Sequence, residues 1–296
     1  MCDAYKPITS VMIPVHNGKD SIARAIASLL AQTVGDWEAV VVDDGSTDGT
    51  GHAVQAFGDS RIRLFSLGRN RGRGAARQFA LERCAGEFLA MVDADDWWYP
   101  WKLERQLAFL EQHPDIGAVS AAMASVGENG EFRGVRGPTG ITDGVKEFSP
   151  LRSLSGFDVP HAPSLVKMEL ARSVGYHVDL RRSEDLVFLA RVLRCAPYAI
   201  LPEVLYAYTD AGSFRREGAP ARYLSASRAC FRLVGDYGSA AILRSVRTAV
   251  QFLLAMLFSR SEPISQLPVR RPSAEEVGEF ERARREVDAV MRRTGL

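Results

Sequence analysis

The chain has 296 residues, 46% of them hydrophobic, and 37 Lys and Arg balance 36 Asp and Glu to a formal net charge of +1. That length holds one large core or two modest ones, and the charge balance argues against a nucleic-acid partner and against an acidic tail. The four cysteines, Cys2, Cys84, Cys195 and Cys230, are scattered without a CxxC pair, which speaks against a zinc knuckle or a disulfide framework. With no N-terminal apolar signal segment, the expected location is the reducing cytoplasm.

In chain order, Ser10 to Pro14, Trp37 to Asp43, Arg61 to Ser66 and Glu87 to Val92 read as strands bounded by turn residues. Between them Ser21 to Gln32, Thr50 to Phe57 and Gly74 to Cys84 carry apolar residues three and four apart and read as helices. Strand and helix alternating in this way predict a doubly wound α/β fold. Trp101 to Gln112 follows as a helix that stops before His113-Pro114, and Ile116 to Ala124 as a further strand.

From Val126 to Pro163 the composition shifts to Gly, Pro and charged residues, as expected of an irregular substrate-facing region. Ser183 is a candidate N-cap for a helix over Leu186 to Arg194, with Glu184 and Asp185 suiting its dipole. The apolar run Ala249 to Phe258 is shorter than the roughly 20 residues that span a bilayer. Its flanking Arg244, Arg247 and Arg260 leave two readings, a helix packed on the core and an amphipathic helix in a membrane interface. The proline-containing stretch Ser259 to Ser273 then leads to a charged helix, Glu275 to Arg293, read as an accessory or assembly element.

Two acidic clusters follow apolar runs. Ala39 to Val42 leads into Asp43-Asp44-Gly45-Ser46-Thr47-Asp48, and Phe88 to Val92 into Asp93-Ala94-Asp95-Asp96 and then Trp97-Trp98-Tyr99-Pro100. Three carboxylates within four residues repel one another unless a cation or several donors share the charge. Ligands bind outside the carboxyl ends of such strands, so both clusters are expected at one crevice. The first cluster alone would pass for a polar turn; the pair carries the inference. Gly72-Arg73-Gly74 lacks the third glycine of a dinucleotide-binding loop and does not directly follow a strand, and no Walker-type loop is present.

Together Val11-Met12-Ile13-Pro14-Val15-His16-Asn17, the Val41 to Asp48 segment, Asn70 to Arg77, the Asp93 to Asp96 tetrad and Pro100 to Leu107 resemble the family-2 glycosyltransferases. Ser183-Glu184-Asp185 extends the resemblance to about residue 208. The resemblance implies a GT-A-like doubly wound, mostly parallel central sheet flanked by helices, with a helical C-terminal extension. It implies a nucleotide-sugar-binding half over 1–125, an acceptor-binding half over 126–240 and the extension over 241–296. It also implies inverting transfer from a nucleotide-diphosphate sugar to an acceptor hydroxyl on a glycan, a lipid-linked sugar or a small molecule, assisted by Mn²⁺ or Mg²⁺.

By position in the family's motifs, Asp95 matches the metal ligand and Asp93 a contact to the donor's ribose or sugar. Asp44 matches the base-reading carboxylate, which leans toward a UDP- or dTDP-type donor. Pro14, His16 and Asn17 match the nucleotide pocket, and Arg77 an approach to the diphosphate. Asp185, with Glu184 second, matches the catalytic base, although the same acids also suit a helix start.

The family's His after the acidic pair is replaced in Tyr206 to Ser213, which leaves either Asp210 as a substitute oxygen ligand or a cation held by Asp95 and donor phosphate alone. That departure keeps open a catalytically silent sugar-nucleotide-binding or assembly protein. An aspartyl phosphohydrolase fits less well, because Asp93-Ala94-Asp95 runs into Asp96-Trp97 rather than a small Gly-containing turn. Trp97 and Trp98 read either as core aromatics or as a stacking wall for a sugar, and His161 as an ordinary loop residue rather than a ligand. Homo-oligomerisation and peripheral contact with the inner face of a membrane through the C-terminal helix complete the expected partners.

Overall fold

A computed structural model of the protein describes residues 6–137, 145–151, 159–210, 219–258 and 269–295. The first half runs β1 (Thr9–Val15), α1 (Ile22–Leu30), β2 (Trp37–Asp43), α2 (Thr50–Gln55), β3 (Ile62–Ser66), α3 (Arg73–Leu81) and β4 (Phe88–Met91). There follow β5 (Trp97–Trp98), α4 (Lys102–Gln112), β6 (Ala118–Gly127), β7 (Phe132–Arg136), β8 (Lys146–Phe148), β9 (Leu165–Lys167), α5 (Met168–Val174), α6 (Glu184–Cys195) and β10 (Tyr198–Asp210). The C-terminal part comprises α7 (Ala219–Arg232), α8 (Val234–Tyr237), α9 (Ser239–Phe258), β11 (Val269–Arg270) and α10 (Ala274–Thr294).

The sheet order is β11-β7-β6-β9-β4-β1-β2-β3, with β10 parallel to β6 and antiparallel to β5 and β8. Strands β4, β1, β2 and β3 pair in parallel, whereas β9 enters antiparallel between β4 and β6. The sheet is therefore parallel under the first half and mixed beyond it. β1 and β2 are buried along their whole length, and alternate residues point to opposite faces. Val11, Ile13, Ala39 and Val41 pack on α1 and α2 through Ile22, Ile26 and Val54. Met12, Val40 and Val42 pack on α3 and α6 through Ala76, Ala80, Phe188 and Val192. Each fully buried Val, Ile, Met or Phe among them contributes roughly 1.5–3 kcal/mol.

The region expected to be irregular, Val126 to Pro163, includes β7 and β8, while 138–144 and 152–158 lie outside the described residues, as do most of Ser259 to Ser273 and the end of Tyr206 to Ser213. Trp97 and Trp98 are core residues: they are 2% and 0% exposed, and neither faces the crevice described below. Trp97 stacks on Tyr99 and meets Phe280 of α10, so the C-terminal helix packs on the chain itself. A capping box starts that helix, with Ser273 Oγ accepting from the Glu276 amide and Glu276 from the Ser273 amide. An Asp288–Arg24 ion pair then ties it to α1.

Lys102 opens α4 fully buried, with its Nζ donating to Gln106 Oε1 at 2.6 Å and 4.1 Å from the Trp98 ring centroid. Burial pushes its pKa down from 10.5 to about 7. The unfolded chain therefore holds this proton over a range where the folded chain does not. The resulting cost to stability is full below about pH 7 and fades as pH rises toward 10.5. Urea unfolding of Lys102→Met should show a gain over the wild type that is largest near neutral pH and shrinks by up to about 1.4 kcal/mol per pH unit on going basic. A gain independent of pH would refute the assignment.

Candidate active site

The loops after β1, β2 and β4 leave the sheet at its carboxyl edge, where the first two are stitched together. Asn17, at a positive φ of 52°, donates its amide to Ser46 Oγ at 2.8 Å and accepts the Thr47 amide on Oδ1 at 2.9 Å. The Gly18 amide donates to Thr50 Oγ1 at 3.0 Å and the Lys19 amide to Asp48 Oδ2 at 3.0 Å. Thr50 and Lys19 hold the Asp48 carboxyl down at about 2.

Beside these loops lies a crevice of about 790 Å³. Pro14, His16, Asn17, Asp44, Asp93 and Asp95 line it from the first half, and His161, Arg182, Ser183 and Asp185 from the second. Asp95 is exposed at the crevice, where desolvation by the walls and then the charge of Asp93 raise its pKa. Asp96 turns the other way and is buried, accepting from Tyr206 Oη at 2.6 Å and from the Thr209 amide at 2.7 Å. Desolvation, followed by the charges of Asp95 and Asp93, pushes the Asp96 pKa well up. Tyr206 Oη also accepts the Asp93 amide at 3.2 Å, so β10 clasps the tetrad from below.

Asp44 lines the crevice, but its two oxygens already accept the Arg71 amide at 2.6 Å and the Gly72 amide at 2.8 Å. Gly72 stands at φ 92°, a conformation that suits glycine, so Asp44 holds a glycine turn as well as facing the pocket. Each of its oxygens keeps a second lone pair toward a ligand.

Two of the expected site residues stand off the crevice wall. Arg77 is 2% exposed and does not line the crevice. Its Nη2 donates to Asp93 Oδ1 at 2.7 Å, and its Nη1 lies 3.0 Å from Glu184 Oε1, an ion pair outside hydrogen-bond alignment. Burial opposes the Arg77 charge, yet Glu184 and Asp93 outweigh it and push its pKa up. Glu184 is 0% exposed and absent from the crevice wall, and its carboxylate partners Arg77. Desolvation raises the Glu184 pKa against the pull of Arg77.

On α3 the residue that does face the crevice is Arg73, one turn earlier, with its side chain 52% exposed. Ser183 occupies the N-cap position of α6 but at φ 61° and without a side-chain cap, a strained placement for a non-glycine residue beside Asp185.

Asp210 pairs with Arg136 at 3.1 Å and does not line the crevice. Among the described residues no group of three or more His, Cys, Asp or Glu side chains forms a metal cage. His161 is only 9% exposed, and its Nε2 shares a 2.8 Å hydrogen bond with Tyr176 Oη. Burial and then the charge of Arg77 push its pKa well down, so this imidazole is neutral. Its place between Pro160 and Pro163 is the one sequence signal that a fixed loop was being built there.

An α/β sheet with opposed carboxylates in a crevice at its carboxyl edge defines a GT-A-like architecture. The chain belongs to glycosyl transferase family 2, whose model matches residues 10–174.

A putative teichuronic acid biosynthesis glycosyltransferase of Bacillus subtilis, TuaG, is 43% identical over 108 residues, which cover 36% of this chain and 43% of the relative. The Escherichia coli UDP-Glc:alpha-D-GlcNAc-diphosphoundecaprenol beta-1,3-glucosyltransferase WfgD is 39% identical over 103 residues, covering 35% and 41%. With EpsE of B. subtilis (34% identity) the match covers 61% of this chain and 63% of the relative. The chain thus spans under two thirds of the length of the curated relatives it matches.

Among solved structures, S. aureus TarS 1-349 in complex with UDP-GlcNAc superposes with a TM-score of 0.66 at 23% identity, over 96% of this chain and 81% of that one. The mannosyltransferase PcManGT from Pyrobaculum calidifontis in complex with GDP-Man and Mn²⁺ superposes with a TM-score of 0.60 at 18% identity, over 99% and 87%. These likenesses show the fold.

Proposed function

We propose that this chain transfers a sugar from a nucleotide-diphosphate donor of UDP or dTDP type to an acceptor hydroxyl, with inversion. The acceptor belongs to a polysaccharide or a lipid-linked sugar, as the names of TuaG and WfgD indicate for those proteins. One observation carries the reading: Asp93 and Asp95 of the first half and Asp185 of the second line the same crevice.

Asp185 accepts the acceptor's proton as its oxygen bonds to the anomeric carbon. The bond from that carbon to the diphosphate breaks on the opposite face, and the electron pair leaves with the nucleoside diphosphate. Arg73 meets the leaving phosphates, in the place expected of Arg77. Asp93, held by Arg77, contacts the donor's ribose or sugar, while Pro14, His16, Asn17 and Asp44 border the base.

A divalent cation suits Asp95, because a carboxylate whose pKa is raised by desolvation and by a neighbouring carboxylate is relieved by positive charge. Mn²⁺ or Mg²⁺ needs few protein ligands when water and phosphate oxygens complete its shell. When bound, such an ion neutralises charge developing on the leaving diphosphate.

A thermal-shift panel of nucleoside diphosphates with and without Mn²⁺ tests the donor site. One diphosphate should stabilise the chain in a Mn²⁺-dependent manner, by about 2.7 kcal/mol at a hundredfold excess over Kd. Asp95→Asn should abolish the Mn²⁺-dependent part. Absence of a shift with every diphosphate would overturn the donor-site reading.

A further inference from the structure

Helices α7 and α9 form a hairpin whose inner side closes the crevice through Ala226, Cys230, Arg244 and Thr248. Reciprocal hydrogen bonds between Ser227 and Ser245, at 3.0 and 2.9 Å, fasten the two helices to each other. Ala229, Leu233 and Ala241 bury the same side against Leu180, Val187 and Ala190.

The outer side is apolar and open. Phe231 is 66% exposed, Leu243 72% and Val246 54%, with Ile242 and Val250 also exposed. On α9 these residues fall at helical spacing, so they form one stripe rather than scattered single exposures. Arg228 and Arg247 stand exposed among them. Across 219–258 the sequence has Arg222, Arg228, Arg232, Arg244 and Arg247 but a single acid, Asp236. That acid is paired with Arg191 at 2.8 Å and Arg194 at 3.3 Å, and Arg232 pairs with Asp179, so the positive charge presented on the outer side is that of Arg228 and Arg247. Among the described residues no helix is long and apolar enough to cross a membrane.

We propose that this face docks the chain on an anionic lipid bilayer, with Phe231, Leu243 and Val246 entering the interface and Arg228 and Arg247 meeting the headgroup phosphates. Charge complementarity selects this occupant: a basic stripe without acids repels a second copy of itself and attracts an anionic surface. Back to back with the crevice wall, the face brings the crevice to the membrane surface. The link to a lipid-linked acceptor rests on the proposed transfer; the docking itself does not.

Flotation of the full chain without nucleotide tests the docking, using vesicles of phosphatidylcholine alone and of phosphatidylcholine with phosphatidylglycerol. The chain should float with the anionic vesicles, less so as salt is raised, and remain behind with the neutral ones. Leu243→Glu/Val246→Glu, and separately Arg228→Ala/Arg247→Ala, should each weaken anionic-vesicle binding roughly tenfold or more. The nucleotide-induced thermal shift should be unchanged in both variants, which separates loss of docking from misfolding and from failure of the donor site. Equal flotation with both vesicle types, or with neither, overturns the proposal. A Leu243→Glu/Val246→Glu variant that binds vesicles normally but turns a dimer into a monomer assigns the face to a second copy and overturns it as well.

Discussion

Asp185→Asn should lower turnover by about two to four orders of magnitude while leaving the Mn²⁺-dependent thermal shift with nucleoside diphosphate intact. The amide keeps the shape and the crevice position of Asp185 but cannot take the acceptor's proton. Asp95→Asn should differ in kind, since it removes the metal-dependent donor shift together with turnover. Steady-state kinetics with a separated donor-binding measurement distinguishes the two carboxylates. Wild-type turnover in Asp185→Asn would remove the base assignment, and donor binding without turnover in the wild type itself would favour a silent binding protein.

The second large effect lies beneath the crevice. Arg77 and Glu184 are 2% and 0% exposed, so removing Arg77 leaves a buried carboxylate with only the 3.9 Å contact to Arg73, and removing Glu184 leaves a buried guanidinium with Asp93 alone. Arg77→Leu or Glu184→Leu should cost about 3–5 kcal/mol, which corresponds to a fall in Tm on the order of 10 °C for a domain of this size. Arg77→Met/Glu184→Leu should recover much of that stability, because an apolar pair of similar volume avoids the desolvation cost. Donor binding should not recover with it, since Asp93 then loses the guanidinium that holds it at 2.7 Å. Thermal unfolding together with nucleotide binding in all three variants checks both halves. Full recovery of binding in the double variant would show that Arg77 does no positioning.

These two residues also mark the limit of what the sequence reveals. Motif position groups Glu184 with Asp185 and places Arg77 at the diphosphate, yet adjacent residues on a helix point about 100° apart. Glu184 is in phase with Val187 and Phe188, and Arg77 with Ala80 and Leu81, all of them buried. Helical phase thus sends Glu184 inward and leaves Asp185 on the crevice, whereas Arg73 shares the Arg77 face and reaches the crevice because it is the first residue of α3.

The parallel strands were legible because burial on both faces writes long apolar runs such as Ala39 to Val42. β8 and β9 were not, being three residues each and defined by antiparallel partners far away in sequence, and β7, a hairpin partner of β6, was masked by its glycine and two arginines. The role of Asp96 was hidden for the same reason: its partners Tyr206 and Thr209 come from β10, more than a hundred residues on. The two aromatic readings of Trp97 were likewise settled by distant sequence, through Phe280 of α10.

Gly72-Arg73-Gly74 holds one further consequence, for how such chains diversify. A Cβ on Gly74 would meet the carbonyl oxygens of His177 and Leu180 at 2.2 and 2.5 Å, and the Gly74 amide donates to Leu180 O at 3.2 Å. The loop that leads to Ser183 and Asp185 therefore rests on bare backbone of α3, and any side chain at 74 would lift it. A chimera that joins the first half of this chain to a second half seated in the same way therefore has to keep glycine at 74, since any Cβ there meets the backbone of the incoming loop.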